Sequence, residues 1–345
     1  MPELPDVLLY LHALAPRVVG RRLERVRLFT PFLLRSVDPP ITAVQGKRCI
    51  GLKRMGKRIV FVLENELYVV LHLMIAGRLR WETAADTATN GHSRQTAVAM
   101  KLRAKAGAKS KAKGNLKVVA APRLMTRPGG KIGLANFEFE AGTLILTEAG
   151  THKRAALHVV RGESALREHD PGGLEVLDVD LQSFRTVLLR EQHTVKRALT
   201  NPHAFSGIGN SYSDEILHRA RLSPFKWTTK LTDEEVARLH EATLSVLSEW
   251  IARLREETGP RFPEKVTAFR PGMAVHGRFG EPCPVCKSPV QRIVHAENES
   301  NYCARCQTEG KVLADRALSQ LLKDDWPRTL EEWEALRAPE AGTPA

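Results

Sequence analysis

Two Cys-x-x-Cys knuckles, Cys283-Pro284-Val285-Cys286 and Cys303-Ala304-Arg305-Cys306, restrict this chain more than any other feature. A pair at this separation brings four thiolates to one tetrahedral ion and leaves no open coordination position, so the metal is structural. Zinc is the first reading, with an iron centre or a metal-free relic as the others. Cys49 stands alone in a strand-like stretch and reads as a buried structural thiol. Clustered cysteines, and a start interrupted by Glu3 and Asp6 rather than built as a leader, point to a reducing compartment. The expected location is the cytoplasm, in association with the nucleoid. No apolar run approaches the ~20 residues of a membrane span.

A chain of 345 residues is long for one core at ~100 to 200 residues per domain. Its formal charge of +13 suggests a polyanionic partner, but the charge is concentrated. Residues 83–131 hold eleven Lys/Arg against one acid, Asp86. The Ala/Lys/Gly-rich centre of this stretch cannot bury enough apolar surface to order itself, so a disordered basic insert is expected. A solvated spacer and a nonspecific DNA-tethering arm are both open to it.

On either side of the insert, β-branched and aromatic runs predict strands at 23–29, 58–63, 67–73, 133–140, 143–146 and 155–160. Short strands joined by Gly turns imply a β-sandwich, with a helix over 6–15 laid against it. The turn cluster Asp170-Pro171-Gly172-Gly173 ends this half. Helices follow at 181–190 (capped by Asp180), at 194–200, from a cap at Asn210 or Ser211 to 220, and at 233–257. The last carries a Thr232/Glu235 capping box and an apolar stripe from Val236 to Leu254. The fold class is therefore α+β and multi-domain. A sandwich with its N-terminal helix spans 2–160, a helical unit 174–275, a metal hairpin 276–310 and a flexible acidic tail 328–345.

Three local features bear on chemistry. If Met1 is trimmed, as the small Pro2 permits, the chain begins with a secondary amine followed by the Glu3 carboxylate, a nucleophile with its own acid/base. An α-amino group has a pKa near ~8 against ~10.4 for lysine, so roughly a hundredfold more of it is neutral at pH 7. Start-site punctuation is the plain alternative. Gly207-Ile208-Gly209 lets backbone approach a ligand and opens a helix whose amides suit a phosphate, with an interhelical turn as the plain alternative. Met55-Gly56-Lys57-Arg58 delivers Lys57 at the start of a strand, where surface lysines are common.

In this order the features resemble the formamidopyrimidine-DNA glycosylase and endonuclease VIII family, over residues 2 to about 307. Pro2-Glu3-Leu4-Pro5 matches the family's N-terminus, Gly56-Lys57 its β-turn lysine, and His72-Leu73-Met74-Ile75-Ala76-Gly77 its His-Leu-Gly-Met-Ser-Gly segment. Lys196, Gly207-Ile208-Gly209-Asn210 and Tyr212 fall in its helix-two-turn-helix. Cys283, Cys286, Cys303 and Cys306 fit its C-terminal zinc finger, which implies one structural Zn2+. The resemblance implies a bifunctional DNA glycosylase/AP lyase of base-excision repair, a monomer acting on damaged double-stranded DNA. A damaged base is flipped into a cleft, Pro2 attacks the sugar C1′, Glu3 moves protons, and β,δ-elimination nicks the strand. Lys57 and Asn210 would hold phosphates, with His72, Lys196, Tyr212, Met74 and Ile75 as further DNA contacts.

The chain departs from the family at four places. Asn298, between Glu297 and Glu299, stands where the finger usually carries an arginine, and Arg292 and Arg305 are the nearest substitutes. The void-filling methionine aligns with Ile75, and the Asp-Pro-Arg-Arg-Phe-Gly segment has become Glu148-Ala149-Gly150-Thr151-His152-Lys153-Arg154. No aromatic wedge remains, which leaves His152 and Arg154 as candidates. Residues 270–274 form a shorter link than the loop that covers 8-oxoguanine, which favours oxidised pyrimidines or ring-opened purines. Asp6 replaces a glutamate. The alternative function is a catalytically weak or inactive DNA-structure or lesion-binding protein on the same scaffold.

Overall fold

The computed structural model describes residues 1–83, 132–150, 152–264, 266–295, 298–313, 320–321 and 327–337. From position 84 onward the basic insert lies outside the described residues. Helix α1, Leu4–Val18, starts earlier than the apolar spacing predicts. Pro5 suits a first turn, and the Asp6 carboxylate accepts the Glu3 N–H at 2.8 Å. The helix buries Leu4, Val7, Tyr10 and Leu14.

Eight strands follow: β1 (Arg22–Leu28), β2 (Lys47–Met55), β3 (Arg58–Leu63), β4 (Leu67–His72), β5 (Gly77–Thr83), β6 (Gly133–Phe139), β7 (Gly142–Glu148) and β8 (Ala156–Arg161). They form one sheet in the order β5-β7-β6-β1-β2-β3-β4-β8. Only Arg22↔Arg48 and Leu23↔Lys47 join β1 to β2, and there the sheet folds over. Phe61 of β3 stacks on Phe137 and Phe139 of β6 with centroids 6.2 and 6.3 Å apart. In a flat sheet three strand spacings, about 14 Å, would separate those strands. The two halves are thus the layers of the expected sandwich. Strands β2 and β5 escape sequence patterning because Lys47, Arg48, Lys53 and Arg54, and then Arg78 and Arg80, break up their apolar residues.

The helical half holds α2 (Glu163–Arg167), α3 (Leu181–Leu188), α4 (Val195–Thr200), α5 (Asn210–Ala220) and α6 (Asp233–Thr258). Asp180 caps α3 through the Ser183 N–H at 2.8 Å. Thr232 and Glu235 cap α6 reciprocally at 3.0 and 3.3 Å. The cap of α5 is Gly209, not Asn210 or Ser211. One apolar core runs from Phe61 and Leu146 through Leu14 to Leu239 and Leu247, and it continues across the expected boundary after 160. Each fully buried leucine in it contributes about 1.5–3 kcal/mol.

The metal hairpin is β9 (Val290–His295) and β10 (Asn298–Cys303), followed by α7 (Ala304–Thr308). Within the span expected to be a flexible acidic tail, residues Leu330–Arg337 form a helix, α8. Leu330 is buried with Ile293 and Tyr302 of the hairpin, and Trp333 meets Phe279 edge-on at 6.3 Å. Two apolar residues among acids carry this contact, too few to register as an amphipathic pattern. Residues 338–345 lie outside the described residues. Among the described residues no helix is long and apolar enough to cross a membrane.

Candidate active site and metal centre

The N-terminus docks onto the start of α5. The Glu3 carboxylate accepts hydrogen bonds from the Gly209 N–H (2.7 Å), the Ser211 N–H (2.9 Å) and O–H (2.7 Å), and the Tyr212 N–H (3.2 Å). The Leu4 N–H donates to the Gly207 carbonyl at 2.9 Å. A carboxylate is favoured here by the helix dipole and by charge-assisted bonds. The amides expected to receive a phosphate are therefore taken internally by Glu3.

A methyl group on Gly209 would stand 2.5 Å from Glu3 Cδ and 2.7 Å from Lys57 Nζ. Glycine at this position lets the carboxylate and the ammonium approach the same point. Arg54 braces the turn that carries Lys57, donating to the Gly56 carbonyl at 2.8 Å and to Ser206 Oγ at 3.0 Å while pairing with Glu175. Burial lowers the Lys57 pKa, and Glu3 opposes that shift. Burial also lowers the pKa of the Met1 α-amino group against the pull of Glu3, with Arg78 adding to the decrease. An amine held here is biased towards its neutral, nucleophilic form. Pro2 is buried beside it, and its nitrogen becomes that amine once Met1 is removed.

Asp6 completes the cluster. While one carboxylate oxygen holds the Glu3 N–H, the other takes the Arg270 guanidinium at 2.5 Å. Burial raises the Asp6 pKa and Arg270 opposes it. Sequence reasoning missed this role of Arg270. The available signal was an arginine in the shortened 270–274 link, which faces an acid on the N-terminal helix.

The expected DNA contacts divide. Ile75 is 50% exposed, Met74 is partly exposed at φ 53°, and His152 and Arg154 are exposed. Asn210 is half-exposed as the first residue of α5. His72 is half-buried, its pKa pushed down to about 4 by burial and by Arg58, Lys57 and His158. Two expected contacts turn inward. Lys196 is buried, bonded to Asp214 at 2.5 Å and to the Glu299 carbonyl at 3.3 Å. Asp214 further bonds His276 Nδ1 at 2.9 Å and the Asn301 N–H at 3.1 Å, so Lys196 belongs to a network joining α5 to the hairpin. Tyr212 is 1% exposed and packs edge-on against Trp250, contributing its amide to Glu3 while its ring stays inside. Arg292 lies over the Phe279 ring at 4.6 Å, with Glu299 3.7 Å away.

In the hairpin the four Sγ atoms lie within 4.8 Å of one another, with Cys283 to Cys306 at 3.9 Å and Cys286 to Cys303 at 3.3 Å. A tetrahedral ion with ~2.3 Å bonds needs sulfurs about 3.8 Å apart, so the set fits one structural Zn2+. His218 of α5 brings Nε2 to 3.3 Å from Cys283 Sγ, a contact outside the ligand set that ties the knuckle to the helix.

Residues 1–112 match the Formamidopyrimidine-DNA glycosylase N-terminal domain, 173–259 the Formamidopyrimidine-DNA glycosylase H2TH domain, and 280–308 the zinc finger found in FPG and IleRS. The formamidopyrimidine-DNA glycosylase of Symbiobacterium thermophilum is 30% identical over 330 residues, 92% of this chain and 93% of that one. The crystal structure of the Fpg protein of Thermus thermophilus superposes with a TM-score of 0.66 at 28% identity, covering 89% of this chain and 98% of that one. A Lactococcus lactis Fpg, solved with a Fapy-dG containing DNA, gives a TM-score of 0.66 at 22% identity, over 89% and 100% of the two chains.

Proposed function

The chain belongs to the formamidopyrimidine-DNA glycosylase family of DNA glycosylases and AP lyases, and from that premise we propose that it removes a damaged base and nicks the strand through its N-terminal proline. The observation that carries this reading is the convergence of Glu3 and Lys57 on Gly209, beside the buried chain start. The Pro2 nitrogen attacks C1′ and the bond to the base breaks. As the sugar opens and O4′ gains a proton, an iminium forms that makes the C2′ proton acidic. Loss of that proton expels the 3′ phosphate, and a second elimination expels the 5′ phosphate. Glu3, oriented by its four donors, moves the protons, and general acid–base groups of this kind are worth about 10²–10⁴ in rate. Lys57 and Asn210 hold the phosphates on either side of the flipped nucleotide. The zinc ion acts only by holding the hairpin together.

The substrate is damaged duplex DNA, a reading supported by the Fapy-dG containing DNA in the complex of the Lactococcus lactis Fpg. The base is an oxidised pyrimidine or a ring-opened purine. The short 270–274 link is drawn onto α1 by the Arg270–Asp6 pair. Two buried donors in this neighbourhood, Arg270 Nε and Tyr212 Oη, have no hydrogen-bond partner among the described residues.

Borohydride trapping on duplex DNA with an abasic site tests the mechanism. A covalent adduct is expected at low salt, strongly reduced in Pro2→Gly and Glu3→Gln. No wild-type adduct, or an undiminished one in Pro2→Gly, sinks the mechanism, as does an intact mass that retains Met1. Asn298 in place of the finger arginine and the absence of an aromatic wedge favour the second reading, a lesion binder without turnover, and tight binding without any adduct would select it.

A further inference from the structure

Next to Lys57 a group of cationic and titratable side chains stands with few acids. Arg58 of β3 pairs directly with His72 of β4, and Val70↔His158 places His158 of β8 diagonally beside His72. Directly opposed residues share a face and alternate residues return to it, so Arg58, His72 and His158 form a row across one face of the sheet. His169, just beyond α2, brings its ring to 4.5 Å from that of His158. The Arg35 N–H donates to the Leu157 carbonyl at 2.8 Å, which lays its segment along the outer edge of β8.

Each member works against the others. Burial and then His169, Arg58 and Arg35 lower the His158 pKa. Burial and Arg58 lower that of His169, against a weaker pull from Glu168. Asp170 faces Arg58 from the rim. Among the described residues none of Arg35, Arg58, His158 and His169 forms a salt bridge. A fold that gathers like charges in this way is stabilised by an anion from outside.

We propose that Arg58, His158 and His169, with Arg35 at the edge, form a second phosphate site on the outer face of the sandwich, which takes a backbone phosphodiester of the DNA beyond the one held by Lys57. The proposal rests on the DNA-binding reading above. Both histidines are neutral in the free protein near pH 7. A bound phosphate favours their charged forms, so binding takes up protons and tightens as pH falls.

The test is an anisotropy titration of a duplex carrying a stable abasic analogue, over a salt series at about pH 6 and about pH 8. In the double variant His158→Gln, His169→Gln, the slope of log K against log salt is expected to fall in magnitude by about 0.9 for the phosphate lost. The pH dependence should also shrink, by up to about tenfold per pH unit for each proton no longer taken up. His169→Gln alone, outside the sheet, serves if the strand substitution prevents folding. A slope and pH dependence equal to the wild type's would overturn the site. If inorganic phosphate shifts the ring-proton resonances of His158 and His169 while the duplex slope stays unchanged, the pocket takes small anions and the DNA assignment fails. A wild-type protein with the expected salt and pH behaviour but no borohydride adduct overturns the lyase reading and leaves the phosphate site standing.

Discussion

The zinc hairpin and the N-terminal site both lean on α5, yet they are put together in opposite ways. Cys283 and Cys306 are 23 positions apart, and the ion they share closes a local loop. Glu3 and Gly209 are 206 positions apart, and they meet only because α1 packs between the sandwich and α6. The contrast teaches that the metal centre depends on local spacing, while the reaction centre depends on the docking of two distant chain segments. Substitutions on one side should therefore leave the other largely intact.

Metal removal is the most severe break. Chelation, or Cys303→Ser, is expected to unfold 280–308, since metal binding supplies about 10–16 kcal/mol of folding free energy in small zinc modules. Zinc content and Trp333 fluorescence would report the loss, with the sandwich still folded by circular dichroism. If the whole chain melts with the metal, the two regions are not separable. Gly209→Ala breaks the other side without changing charge. Overpacking of this kind costs about 1–3 kcal/mol, and displacement of Glu3 is expected to slow adduct formation by ~10²–10⁴. A variant that traps abasic DNA at the wild-type rate with full zinc content would contradict the shared role of Gly209.

A smaller effect concerns the edge of the sandwich beside Lys57. His72 has a folded pKa of about 4 against an ordinary 6.5. Between those values the unfolded chain takes up the proton and the folded one does not, so stability is full above pH 6.5 and is lost as pH falls towards 4. His72→Gln should flatten the Tm curve in that window, and an unchanged acid limb would show that His72 is not buried against Arg58 and Lys57. Smallest of all, Trp333→Ala should weaken the hairpin by about 0.5–1.5 kcal/mol, the worth of one aromatic pair. Earlier release of zinc on heating would show it, and identical release would leave α8 a bystander.

Six of the eight sandwich strands, five of the helices and all four metal ligands were legible in the sequence. Each depends on neighbours a few residues away, whether β-branched runs, capping side chains such as Thr232 and Glu235, or paired knuckles. Pro2, Glu3 and Lys57 were noted from local sequence but set above their plain alternatives only through resemblance, because nothing nearby separates a reacting amine from an ordinary start. Lys196 and Tyr212 were read as DNA contacts and turned inward, since Asp214 lies near enough to neutralise the one and Trp250 to cover the other. Helix α8 escaped because acidic composition says nothing about two apolar residues that find Ile293 and Tyr302.

By itself the sequence determined that this chain carries a four-thiolate zinc hairpin, a strand-rich half and a helical half. Tertiary structure alone decided that Glu3 takes the amides at the start of α5, that Arg270 holds Asp6, that Lys57 shares Gly209 with Glu3, and that Arg58, His158 and His169 gather together. The physical reason is range. Secondary structure and metal spacing are settled by contacts along the chain, whereas the partner of a buried charge is whichever group the folded core brings within ~3 Å of it.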